Sequence, residues 1–175
     1  MNLPADLGTP CALVDLDAVE RNTLAMSERV ARLGSRLRPH VKTHKTVEAA
    51  KLQVRGAFGG LTVSTLAEAR FFARAGFRDL TYAVPIAPAR MREAVELGRS
   101  IDRLSVLVDS ELAMRALESC SASQRVRTPV FLKVDCGNHR AGVEPTSLEA
   151  RRLAARLAAS AHLEFRGLLA HAGHA

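Results

Sequence analysis

Short apolar runs alternate along this chain with longer segments in which apolar residues recur every three or four positions. Cys11 to Asp15 (CALVD) is the first run and has strand character. Leu16 to Leu33 follows as an amphipathic helix, with Leu16, Val19, Thr23, Met26 and Val30 on one face. Asp15 or Asp17 is placed to cap it and Gly34 to stop it. Ser35 to Val41 is the next expected strand, and Thr46 to Arg55 the next helix. The alternation continues through a strand at Gly60 to Ser64, a helix at Thr65 to Ala75, a strand at Leu80 to Val84 and a helix at Pro88 to Leu97. Pro88 suits an early helical position and Gly98 a helix end. Beyond them come a strand at Leu104 to Val108, a helix from Ser110 to Ser119, a strand at Val130 to Asp135, a helix at Thr146 to Ser160 and a last strand from His162 to Ala170.

Strands alternating with helices of this length imply βαβ units and a parallel sheet. The alternation alone leaves open a doubly wound sheet and a (β/α)8 barrel. No GxGxxG follows the first strand, which weakens a dinucleotide-binding reading. Apart from the βα rhythm there is no internal repeat, linker or low-complexity tract.

Composition narrows the class. With 175 residues, 47% hydrophobic and 25% charged, the chain is long enough for one domain with its own core and sits in the range of soluble globular proteins. It holds no long apolar run, and its first ten residues, MNLPADLGTP, do not read as a signal peptide. Cys11, Cys120 and Cys136 are odd in number, widely spaced and without a CxxC, which suits free thiols in a reducing cytoplasm. The net charge of +7 invites a nucleic-acid reading. Against it, the arginines are scattered through Ala/Leu-rich helices and aromatics are only 4%. We therefore expect neither a nucleic-acid nor a membrane partner.

Chemistry-bearing residues gather at the C-terminal ends of the expected strands. The densest stretch is Arg38-Pro39-His40-Val41-Lys42-Thr43-His44-Lys45. A lysine held partly desolvated at a strand end has a lowered pKa and offers a free amine to a carbonyl, the chemistry of a Schiff-base lysine. A basic, solvated turn is the plain alternative. Ser64 and Thr65 end the next strand, Tyr82 lies near the end of the third, and Asp109 ends the fourth. Asp135, Asn138, His139 and Arg140 follow the fifth, and His171 and His174 the sixth. His171 and His174 lie three apart, but two histidines do not make a zinc site, which needs about four ligands.

Four stretches in order carry a family resemblance: TPCALVDLDAVERN (Thr9 to Asn22), PHVKTHK (Pro39 to Lys45), KVDCGNHRAGV (Lys133 to Val143) and GLLAHAGHA (Gly167 to Ala175). Together they resemble the D-threonine aldolase and D-serine dehydratase family, which shares the barrel of alanine racemase, the fold-type III pyridoxal-phosphate enzymes. The resemblance implies a (β/α)8 barrel. It also implies that Lys42 forms the internal aldimine with pyridoxal 5'-phosphate, and that Lys45 is a solvated neighbour. Further cofactor contacts are implied for Arg140, near the phenolic oxygen, and for His171, beside the ring. His40 and Tyr82 are expected at the cofactor as well. His40 and His44 could each tune the site or simply bond backbone groups. Lys133 stands where some alanine racemases carry a carbamylated lysine, with a plain strand lysine as the alternative. Alanine racemases follow their lysine with x-Asn-x-Tyr-Gly-His-Gly, whereas Lys42 is followed by Thr-His-Lys-Thr, which favours the aldolase and dehydratase branch.

Six barrel strands are expected here against the eight of a complete barrel. The resemblance thus implies a single barrel domain, truncated at its C-terminal side and lacking the family's C-terminal β domain. An open barrel exposes an apolar sheet edge, so poor stability in isolation is expected. The family's divalent-metal ligands lie in that further domain, and no metal ligand is assigned in this chain. The implied function is a lyase acting on D-3-hydroxyamino acids, by retro-aldol cleavage or dehydration, in a homodimer. A non-catalytic pyridoxal-phosphate-binding barrel and an inactive fragment are the alternatives.

Overall fold

Four helices begin where a short polar side chain takes up an otherwise unpaired amide. Asp15 accepts from the Ala18 N–H at the start of α1 (Leu16–Arg32), and Thr65 from the Glu68 N–H at the start of α3 (Leu66–Arg74). Ser110 does the same for α5 (Glu111–Ser123) and Ser147 for α6 (Leu148–Ala159). The two other helices among the described residues are α2 (Val47–Gln53) and α4 (Pro88–Gly98), the latter opened by its proline. These elements come from a computed structural model, which describes residues 7–56 and 58–173.

Among the described residues five strands alternate with the helices: β1 (Leu61–Val63), β2 (Asp79–Pro85), β3 (Arg103–Val108), β4 (Thr128–Lys133) and β5 (Leu163–Leu169). They form one parallel sheet in the order β1-β2-β3-β4-β5, an incomplete barrel. Two expected strands differ. Ser35 to Val41 is reduced to a single parallel bridge, His40 to Thr62, in which the Thr62 N–H donates to Pro39 O at 2.8 Å and the Val41 N–H to Thr62 O at 3.0 Å. Pro39 has no N–H with which to extend a ladder. The Arg38 side chain instead ties this segment down, donating to Leu61 O at 3.2 Å and to the Asp79 carboxylate at 2.9 Å. Asp79 also receives Arg103 at 3.3 Å, so one carboxylate gathers three neighbouring segments at the N-terminal end of the sheet. Cys11 to Asp15 forms no strand: it finds no partner strand among the described residues, and Leu13 and Val14 stay exposed.

Register assigns each side chain to a face. Leu61 pairs with Leu80 and Leu80 with Leu104, and Val106 and Val108 pair with Val130 and Leu132. These residues pack against Phe72, Met91, Met114, Leu117, Leu153 and Leu157 from the helices, the main core. Burying such a side chain contributes about 1.5–3 kcal/mol. The opposite face carries a row of polar side chains, His40, Thr62, Thr81 and Ser105, paired strand to strand, with Leu107 and Phe131 farther along. Helix α1 contributes no fully buried residue, and Leu16 and Met26 of its apolar stripe are exposed.

Candidate active site

The chain turns sharply after the His40–Thr62 bridge, and two histidines build the turn. His40 Nδ1 accepts the Lys42 N–H at 3.2 Å, and His44 Nδ1 accepts the Thr46 N–H at 3.1 Å. Each imidazole thus receives the amide two residues on, as an Asn or Asp side chain does in an Asx-turn. The second ring nitrogen is engaged as well, His40 Nε2 with Ser64 Oγ at 3.3 Å and His44 Nε2 with Gln53 Oε1 at 3.0 Å. Because Nδ1 must offer a lone pair to a backbone N–H, Nε2 carries the proton in both rings. His44 therefore serves the start of α2, where Thr46 makes no capping bond of its own.

Lys42 lies between these histidines and is exposed, not desolvated as its position at a strand end had suggested. Lys45 is turned to a different partner, its ammonium 3.3 Å from Glu68 Oε1. Glu68 is buried and uses Oε2 to accept the Ser64 N–H at 2.7 Å, while its own N–H is capped by Thr65. The spacing Thr65-x-x-Glu68 is a capping-box pattern, a signal that could have marked Glu68 from the sequence.

On the other side of the sheet end, the segment after β4 closes into a tight loop. The Val143 N–H donates to Lys133 O and the Asp135 N–H to Val143 O. Gly142 makes this approach possible. Its φ is +109°, and a Cβ there would stand 2.5 Å from the Val134 carbonyl carbon. Asp135 Oδ1 accepts the Gly137 and His139 amides, both at 3.0 Å, and Oδ2 accepts His139 Nδ1–H at 2.8 Å. Partial burial pushes this carboxyl up, but the bonds from His139 and Gly137 outweigh it and hold it below the usual aspartate range. Arg140, next in the chain, is exposed and makes no hydrogen bond or ion pair with the described residues. The Cys136 thiol donates to the His171 carbonyl at 2.8 Å, fastening this loop to the segment after β5.

Electrostatics shows which groups share a region. Burial, the Lys42 charge and His171 push His40 below the ordinary histidine range, against the pull of Glu68. Lys133 is only 5% exposed and donates weakly to Val134 O at 3.5 Å. Burial lowers its pKa, with Arg140 adding to the effect and Cys136, Asp135 and Asp109 opposing it. Lys42, His40, Ser64, Lys133, Arg140 and His171 are therefore drawn toward the C-terminal end of one sheet, where active sites of (β/α)8 barrels lie. Tyr82 is not brought to this group. It pairs with Val63, packs beside the core, and has Arg90 and Glu93 of α4 as its charged neighbours, all on the helix-covered face. Burial pushes its phenol above the usual tyrosine range. His174 lies outside the described residues. Among the described residues there is no group of three or more His, Cys, Asp or Glu side chains that could hold a metal ion. No helix among them is long and apolar enough to cross a membrane.

Comparison with known proteins gives this arrangement a context. Residues 14–175 match the family described as alanine racemase, N-terminal domain. The D-serine dehydratase of Dictyostelium discoideum is 38% identical over 97% of this chain and 46% of its own length. The solved structure of D-threo-3-hydroxyaspartate dehydratase from Delftia sp. HT23 superimposes with a TM-score of 0.88 at 39% identity, covering 96% of this chain and 44% of that one. D-threonine aldolase from Filomicrobium marinum gives a TM-score of 0.85 at 32% identity, over 94% of this chain and 44% of that one. The chain thus spans less than half the length of these relatives. It belongs to the alanine racemase N-terminal domain family.

Proposed function

We propose that this chain carries the cofactor-holding part of a pyridoxal-phosphate-dependent lyase acting on D-3-hydroxyamino acids. The observation that supports it most is the arrangement around Lys42. An accessible amine stands at the C-terminal end of the sheet, its backbone fixed by His40. His171 lies within electrostatic reach of that imidazole, and Arg140 is unpaired at the same sheet end. This donor set suits pyridoxal phosphate: an amine for the carbonyl, a fixed cation for the phenolic oxygen and an imidazole for the ring. When bound, the cofactor supplies an electron sink for negative charge at the substrate Cα.

In this reading Lys42 is the lysine that takes the cofactor carbonyl. Arg140 contributes its permanent charge, directed by a loop that Asp135 and Gly142 hold closed. The substrate class rests on the relatives, which are named for D-serine, D-threo-3-hydroxyaspartate and D-threonine, all amino acids with a hydroxyl on Cβ. The three cysteines are free, which suits a reducing cytoplasm. A homodimeric assembly is part of the same reading.

The test is covalent labelling. The lysines of the chain are Lys42, Lys45, Lys51 and Lys133, so a mapped label has few possible addresses. The chain is mixed with pyridoxal phosphate, reduced with borohydride and digested for mass spectrometry. Label on Lys42 that vanishes in Lys42→Ala, followed by turnover of D-serine or D-threonine, is the expected result. Label on Lys133, whose buried amine is the chemical rival, would overturn the assignment of Lys42, as would label spread evenly over the surface lysines. Labelling of Lys42 with no turnover would instead favour a cofactor-binding, non-catalytic chain.

A further inference from the structure

We propose that His40 is the positioning residue for Lys42, an imidazole that holds the Lys42 amide through Nδ1 while the Ser64 hydroxyl holds the ring through Nε2. The proposal rests on the reading of Lys42 as the cofactor lysine and changes what is expected of His40. A ring with both nitrogens engaged on the protein has none left for the cofactor. Its role is to fix the backbone from which the lysine projects.

The geometry runs unbroken from helix to lysine. Thr65 caps the Glu68 amide at 3.0 Å, Glu68 accepts the Ser64 amide at 2.7 Å, Ser64 meets His40 Nε2 at 3.3 Å, and His40 Nδ1 accepts the Lys42 amide at 3.2 Å. The His40 backbone is itself registered against Thr62. The path enters through β1 and the first turn of α3, elements tied into the core by Leu61, Val63, Leu66 and Phe72. An exposed lysine on a turn would otherwise lose considerable conformational freedom on binding its target, and a fixed backbone lowers that cost.

The clamp works only while Nδ1 has a free lone pair. Protonation would set an N–H against the Lys42 N–H and break the bond. The charged groups facing the ring are Lys42 on its own segment, Glu68 of α3 and His171 beyond β5. Burial, Lys42 and His171 disfavour the imidazolium, Glu68 favours it, and the balance keeps the ring neutral. The clamp is therefore intact at neutral pH and opens as pH falls below the ordinary histidine value of about 6.5 and through the lower folded value.

Two substitutions separate positioning from mere packing. His40→Asn places an amide oxygen on Cγ, where Nδ1 sits in histidine, and can still accept the amide two residues on, yet it does not titrate. His40→Leu fills similar space with no acceptor. We would measure hydrogen exchange of the Lys42 amide and the rate of borohydride-trapped pyridoxal-phosphate labelling in the whole chain, from about pH 5 to 8. Expected in His40→Leu is amide exchange and a labelling rate each altered unfavourably by about tenfold, the scale of one lost hydrogen bond. His40→Asn should stay within about threefold of the parent at pH 8 and lose the parent's acid-side change. Amides of β3 report whether each variant is folded. If His40→Leu does not fold, the pH profiles of the parent and His40→Asn decide alone. Parent-like behaviour of His40→Leu, or a His40→Asn profile that keeps the acid-side change, would overturn the proposal. If Lys42 takes no label in the parent, the functional reading fails, while Lys42 amide exchange still tests the clamp.

Discussion

The Lys45 ammonium lies 3.3 Å from Glu68 Oε1, on the carboxylate whose other oxygen holds the Ser64 amide. Of two lysines three residues apart, one is thereby tied to the start of α3 while the other stays accessible. Lys45 is mostly exposed, so its ion pair is worth less than about 1 kcal/mol. Glu68 is buried, and its loss leaves the Ser64 amide without its partner. We expect Lys45→Met to lower stability by under about 1 kcal/mol and to leave labelling of Lys42 unchanged. Glu68→Ala should cost about 1–3 kcal/mol. Chemical denaturation of both variants, with peptide mapping of the first, checks this. A shift of label away from Lys42 in Lys45→Met would contradict the division of roles.

Gly142 and Gly137 both have positive φ, but only Gly142 has backbone where a side chain would go. A Cβ on Gly137 meets nothing within 4 Å, whereas one on Gly142 collides with Val134 and the Asp135 amide. Gly137→Ala should therefore cost about 1 kcal/mol, the strain of its backbone angle alone. Gly142→Ala should cost about 2–4 kcal/mol, because the collision forces the loop open as well. Equal losses in the two variants, measured by denaturant unfolding, would show that the loop is not closed at Val134.

Local chemistry made the helices readable from sequence: Asp15, Ser110 and Pro88 stand where an amide needs a cap or has to be absent, and the structure uses each of them so. Strands were readable where neighbours exist on both sides, as at β3. Ser35 to Val41 and Cys11 to Asp15 have strand composition, but a strand exists only through its partners, and composition does not say whether a partner is there. The face on which Tyr82 lies was illegible for a related reason. In a run such as Leu80 to Val84, with buried residues on both faces, alternation no longer tells which side points at helices. The exposure of Lys42 could not be read at all, since desolvation depends on what lies over a side chain. The electrostatic grouping of Lys133 with Arg140 and Asp135 was partly legible as proximity in sequence, but the burial that depresses the Lys133 amine was not.

The Asp135 carboxylate gives the loop that carries Arg140 a defined acid limit. Its three bonds from Gly137 and His139 favour the ionised form and hold its folded pKa below the unfolded one, despite the opposing effect of burial. In that window the unfolded chain binds more protons, so stability falls as pH falls. The contribution is fully present above the ordinary aspartate value of about 3.9 and is lost as pH drops through the folded value. Asp135→Asn keeps the shape but has no charge to lose. The stability difference between parent and Asp135→Asn should accordingly shrink steadily below about pH 4. Denaturant unfolding at a series of pH values measures that difference directly. A constant difference down to the acid limit would mean that Asp135 closes the loop by geometry alone, with no contribution from its charge.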